Sequence, residues 1–82
     1  MYDVPIRDTS IRLGQFLKLA GLVDQGSDAR DLVGGGAVLV NGEAERRRGR
    51  QLEPGDQVTI QGTAGPPYRV VAGGGGRASP GG

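Results

Sequence analysis

The pair Asn41-Gly42, set between Val38-Leu39-Val40 and Glu43-Ala44, restricts this chain more than any other feature. Both residues tolerate the positive φ that a type I′ turn requires, so the pair predicts a tight antiparallel hairpin. Val38 and Val40 then share one strand face, and Ala44 resumes the outgoing strand. Further along, Leu52, Val58 and Ile60 supply more apolar positions, with Pro54-Gly55-Asp56 as the turn between them.

The hairpin is preceded by helical patterning. Leu13, Phe16, Leu17 and Ala20 follow the i, i+3, i+4, i+7 spacing of one buried helix face. Gln15 and Lys18 then point outward, and Arg12 lies at the edge. Thr9 or Ser10 is the expected N-cap, and Gly21 the expected stop. Gly14 is unfavourable inside a helix and marks a close backbone approach. A second, shorter helix is expected after Ser27 as cap, with Asp28 in its first turn where a negative charge suits the dipole. Ala29, Leu32 and Val33 form its apolar side, and Arg30 reaches solvent. Gly34-Gly35-Gly36 ends it. The glycine triplet is not a phosphate loop: the order is helix, loop, strand, and no Gly-Lys-Ser/Thr follows. Val4 to Arg7 is a leading strand or an extended arm.

From Gln61 onward glycine and proline dominate around a short Tyr68-Arg69-Val70-Val71-Ala72 island. Such a composition buries too little apolar surface to offset its ordering entropy, so residues 61–82 are expected to form a disordered tail. The division is therefore an arm or strand over 1–10, a domain over 11–60 and the tail. That leaves about 60 ordered residues, a marginal size for a chain without staples.

Cysteine and histidine are both absent from the 82 residues. Disulfides, thiolate nucleophiles, the usual zinc ligands and a histidine acid–base pair are thereby excluded, so no enzyme, cofactor or metal is expected. No apolar run is long enough to cross a bilayer, and the N-terminus lacks a signal peptide's apolar region, so a cytoplasmic protein with no membrane partner is expected. The net charge is only +1, but its distribution is uneven. Asp24, Asp28 and Asp31 cluster early, and Arg46, Arg47, Arg48 and Arg50 cluster late. Four guanidinium groups so close repel one another unless an anion sits nearby, and their fork geometry matches phosphate. Nucleic acid is the first partner to consider; a solvated basic loop is the plainer alternative. Arg12 has a similar alternative in an ion pair with Asp8, Asp28 or Asp31.

Arg12-Leu13, Phe16-Leu17, Gly21-Leu22, Ala29-Arg30, Val38, Val40-Asn41-Gly42 and Gly55-Asp56 occur in the order and spacing of the S4 RNA-binding domain. The chain resembles that family over roughly residues 11 to 60. The stretches Leu13 to Leu22, Asn41-Gly42-Glu43 and Arg47 to Arg50 look closest to its small stand-alone bacterial members. The resemblance implies an α+β fold, with two short helices packed on a small antiparallel sheet (S4-like, αL-type). It also implies a non-catalytic module, expected to be monomeric, that docks on structured RNA of ribosomal or transfer RNA class. Association with the ribosome or another ribonucleoprotein would follow.

Carried over by position, Arg12 and Arg30 match basic positions of the general motif, and Arg46, Arg47, Arg48 and Arg50 match the basic run. Lys18 joins them as an outward cation on the first helix. Two departures stand out. Many members have Arg-Leu-Asp where this chain has Arg12-Leu13-Gly14, and a Ser-Arg pair where it has Gln25-Gly26. The second removes a helix-side cation and moves the expected contacts toward the hairpin arginines. A-form RNA is read largely by shape, phosphates and 2′-hydroxyls, which suits a rigid arginine surface. Base stacking needs aromatic platforms, and this chain has only Tyr2, Phe16 and Tyr68, so weak sequence preference is expected. The alternative is a small adaptor whose basic surface binds an acidic protein partner.

Overall fold

The computed structural model describes residues 2–62 and 65–73. Its strands are β1 (Tyr2–Ile6), β2 (Ile11–Arg12), β3 (Val38–Val40), β4 (Glu43–Ala44), β5 (Gln51–Leu52), β6 (Gln57–Ile60) and β7 (Tyr68–Ala72). Two helices, α1 (Leu13–Leu19) and α2 (Gly26–Gly34), lie between β2 and β3. The fold is α+β as expected. One sheet has the order β1-β7-β6-β3-β4, and β2 pairs with β5 in a separate two-stranded ribbon. The sheet is antiparallel from β7 to β4, but its edge pair β1 and β7 runs parallel.

Alternation along each strand turns one sheet face toward the helices. Val4 and Ile6 of β1, Val38 and Val40 of β3, Val58 of β6 and Val70 of β7 are buried there. Leu13, Phe16 and Leu17 of α1, Ala29 and Val33 of α2, and Leu52 of β5 complete the same core. The helix face read from the periodicity is the buried one. Asn41 (φ 52°) and Gly42 (φ 87°) form the expected turn between β3 and β4. The Asn41 side chain is committed to structure: its amide donates to Asp56, and its carbonyl accepts from the Gln57 N–H at 2.9 Å.

Neither expected helix cap forms. No hydroxyl caps α1; its N-cap position is Arg12, with no side-chain bond. The Leu13 N–H instead donates to the Arg50 carbonyl at 2.8 Å, and the Gly14 N–H to the Arg48 carbonyl at 3.0 Å. The cause is the pairing of Ile11 with Leu52 and Arg12 with Gln51, which brings the loop carbonyls over the helix start. Ser27 likewise lies inside α2, whose N-cap position is Gln25. Both helices stop in the same way. Leu22 N–H reaches back to Leu17 and Ala37 N–H to Leu32, with Gly21 and Gly36 supplying the left-handed residue each closure needs.

The expected tail from Gln61 is corrected at its apolar island. Tyr68–Ala72 is a full strand, in parallel register with Tyr2–Ile6 and hydrogen-bonded on its other side to β6. Val70 is completely buried, opposite Val4, and its N–H and carbonyl bond to Asp56 and Gly55. Glycine and proline around the island dilute its average hydrophobicity, whereas the stabilisation is local: Tyr68 and Val70 alternate onto the core face. The ordered unit thus begins at β1 and extends through β7. Residues 63–64 and 74–82 of the expected tail lie outside the described residues.

Candidate nucleic-acid interface

The segment between β4 and β5 carries the arginine run, and the structure divides that run by contact. Glu45 opens it. Its N–H is held by the Val38 carbonyl at 2.9 Å, and its side chain is only 9% exposed. Arg47 donates through Nε to one carboxylate oxygen at 3.0 Å, and the Arg47 backbone N–H reaches the same oxygen at 3.1 Å. Arg50 donates to the other oxygen at 2.9 Å. The anion needed to offset the crowded guanidinium groups is therefore partly internal. Glu45 and Arg47 are only two residues apart, and that close spacing of opposite charges is the signal by which the pair was open to recognition.

The Arg47 side chain, then that of Arg50, holds the Glu45 carboxyl at about 2, against its ordinary 4.5. The same contacts push Arg47 further up. A carboxyl depressed by folding stabilises the native state fully above its unfolded value and progressively less as pH falls through the folded one. The contribution is thus complete above about pH 4.5 and disappears toward about pH 2. Glu45→Gln is expected to melt below the wild-type chain at neutral pH, with the difference shrinking as pH is lowered across that window. Thermal melts between pH 7 and pH 2 check this; a constant difference would mean that the carboxylate charge is not what anchors the loop.

The other two arginines of the run rest on glycines. The Arg46 guanidinium lies against Gly36, at the end of α2, where an added Cβ would stand 3.1 Å from its Nη2. Arg48 lies along Gly14 of α1. From there it borders an open groove of about 270 Å³ with Arg12 and Lys18, over Gly14, Gly26 and Gly49. Three of the seven expected cations thus come together between α1, the start of α2 and the arginine loop. Their side chains make no hydrogen bond or ion pair among the described residues, so Arg12 forms none of the pairs with Asp8, Asp28 or Asp31 considered above.

Arg12, Gln15 and Lys18 also border a larger groove of about 840 Å³, which adds Arg7, a cation the sequence did not single out. Arg47 and Arg50 line a third depression with Gly49 and Gln51. Arg30 is exposed on α2 and lines none of the three. Of the aromatics, Phe16 is buried, and Tyr2 stacks on Tyr68 at 5.0 Å in a separate depression that shares no residue with the basic grooves.

Known proteins resemble this chain in sequence and in fold. A Bacillus subtilis protein described as a probable ribosome maturation protein, RlbA, is 46% identical over 59 residues, covering 72% of this chain and 83% of its own length. The 30S ribosomal protein S4e of Thermoplasma acidophilum superposes with a TM-score of 0.52 at 25% identity, over 68% of this chain; the match spans 30% of that larger protein. Residues 4–71, which span both helices and the sheet, match the S4 domain. The chain belongs to the S4 domain family.

Proposed function

We propose that this chain is a non-catalytic module that binds structured RNA, of ribosomal or transfer RNA class, by shape and phosphate contacts through its arginine-rich surface. It works in the cytoplasm as a monomer, in association with the ribosome or another ribonucleoprotein. The S4 domain family and the two ribosome-related relatives support an RNA-binding or ribosome-associated role.

What carries the finer reading is the groove in which Arg12, Lys18 and Arg48 converge without an acidic partner among the described residues. Unpaired cations over a glycine floor leave room for a phosphate backbone to approach closely. Arg47 and Arg50, half committed to Glu45, contribute charge at the border. The aromatic pair lies apart from these grooves, which favours reading of shape and phosphates over stacking on splayed bases.

The test is recovery of crosslinked RNA from cells expressing the wild-type chain or the Arg12/Lys18/Arg48→Ala variant, followed by sequencing. Enrichment of a structured RNA by the wild type, lost in the variant, is the expected result. Equal and featureless recovery from both would refute the proposal and favour an acidic protein partner.

A further inference from the structure

Gly14 has no backbone reason to be glycine. Its φ is not positive, it lies within α1, and alanine would be the better helix former there. The reason is space. A Cβ at this position would stand 2.6 Å from Cγ of Arg48 and 3.1 Å from its Cδ. The Arg48 main chain has little freedom to retreat. Its carbonyl accepts from the Gly14 N–H, the Arg50 carbonyl accepts from Leu13, and the Arg50 N–H closes a turn onto Arg47. The loop is tied on its other side by Arg47 and Arg50 to Glu45. Relief of the clash therefore falls on the first torsions of the Arg48 side chain, whose rotation swings the guanidinium away from Arg12 and Lys18.

We propose that Gly14 is a positioning residue for RNA binding: its bare Cα is the seat on which Arg48 lies, and that seat aims the guanidinium into the groove. The inference rests on the reading of this groove as an RNA contact. Arg46 and Gly36 are not equivalent. There an added Cβ would meet only the mobile end of the arginine, and the positive φ of Gly36 already accounts for the glycine.

The experiment compares the full-length wild type with Gly14→Ala, Arg48→Ala, the double variant and Gly34→Ala. Gly34 is a helical glycine with open space around it and serves as the control. Binding to bulk transfer RNA and to purified ribosomal RNA is titrated across salt concentrations, and folding is followed by thermal melts. Arg48→Ala should lower the slope of log affinity against log salt by about 0.7–0.9, the value of one phosphate contact. Gly14→Ala should stay folded and lower it by the same amount, the double variant no further, and Gly34→Ala not at all.

A wild-type slope in Gly14→Ala beside a reduced one in Arg48→Ala would overturn the seat and leave the groove reading intact. An additive loss in the double variant would also overturn it. A wild-type slope in Arg48→Ala would remove the groove reading and the seat together. Should Gly14→Ala fail to fold, the double variant decides: without Cγ and Cδ the clash is gone, so it should refold and bind like Arg48→Ala. A double variant that also fails to fold would refute the role.

Discussion

Phe16→Ala is expected to lower the melting temperature of the chain by about 12–40 °C. Phe16 is the largest fully buried side chain among the described residues, packed where α1 meets the sheet. Truncating a buried phenylalanine costs about 3–5 kcal/mol in transfer and cavity terms together. A domain of this length has a total stability of about 4–10 kcal/mol, and with no cysteine it has no disulfide to hold a loosened core. The loss therefore removes a large share of the margin. Leu19, on the same helix but 54% exposed, provides the contrast. Leu19→Ala should change stability by no more than about 0.5 kcal/mol. Circular dichroism melts of both variants check the pair; a near wild-type melt for Phe16→Ala would refute the packing of α1.

The Arg12/Lys18/Arg48→Ala variant is expected to lose most of its RNA affinity at physiological salt while keeping its fold. Each cation that neutralises a phosphate contributes about 0.7–0.9 to the slope of log affinity against log salt. Removing three should lower the slope by about 2–3, by the same rule. None of these side chains has an ion-pair partner among the described residues, so truncation leaves no buried charge stranded. Replacing all four arginines of the loop would be a poorer test. It would strip Glu45 of both partners and leave a nearly buried carboxylate unpaired, mixing lost contacts with lost stability. An unchanged slope in the triple variant would show that the phosphates bind elsewhere.

The features legible in the sequence are those held by local rules. The spacing of Leu13, Phe16 and Leu17 gives the buried helix face because the helical period alone decides it. Asn41-Gly42 gives the hairpin because the turn geometry selects those residues. Gly14 signalled a close approach, although nothing nearby in the sequence said that the approaching group was Arg48. β7 stayed hidden because one partner, β1, lies at the opposite end of the described residues in a parallel pair with no connecting-turn signature, and the glycine- and proline-rich link to the other, β6, masks the antiparallel pair. The start of α1 escaped for a related reason, being closed by carbonyls some 35 residues later in the sequence rather than by a neighbouring hydroxyl. Within the arginine run the sequence offers four like residues. Only the packing of Glu45, Gly36 and Gly14 beneath them sets two in ion pairs and lays two on glycines.

The parallel pairing of β1 with β7 also bears on how the domain is made. Tyr2 to Ile6 is made before the helices and the hairpin, yet its sheet partner at Tyr68 to Ala72 follows them. Until then the first strand exposes Val4 and Ile6 and an unpaired edge, while the hairpin and helices form from near neighbours. Closure of so distant a pair carries a large loop entropy and is the slow kind of contact. The nascent domain therefore keeps an open sheet edge until β7 has been made, and only then can it lock.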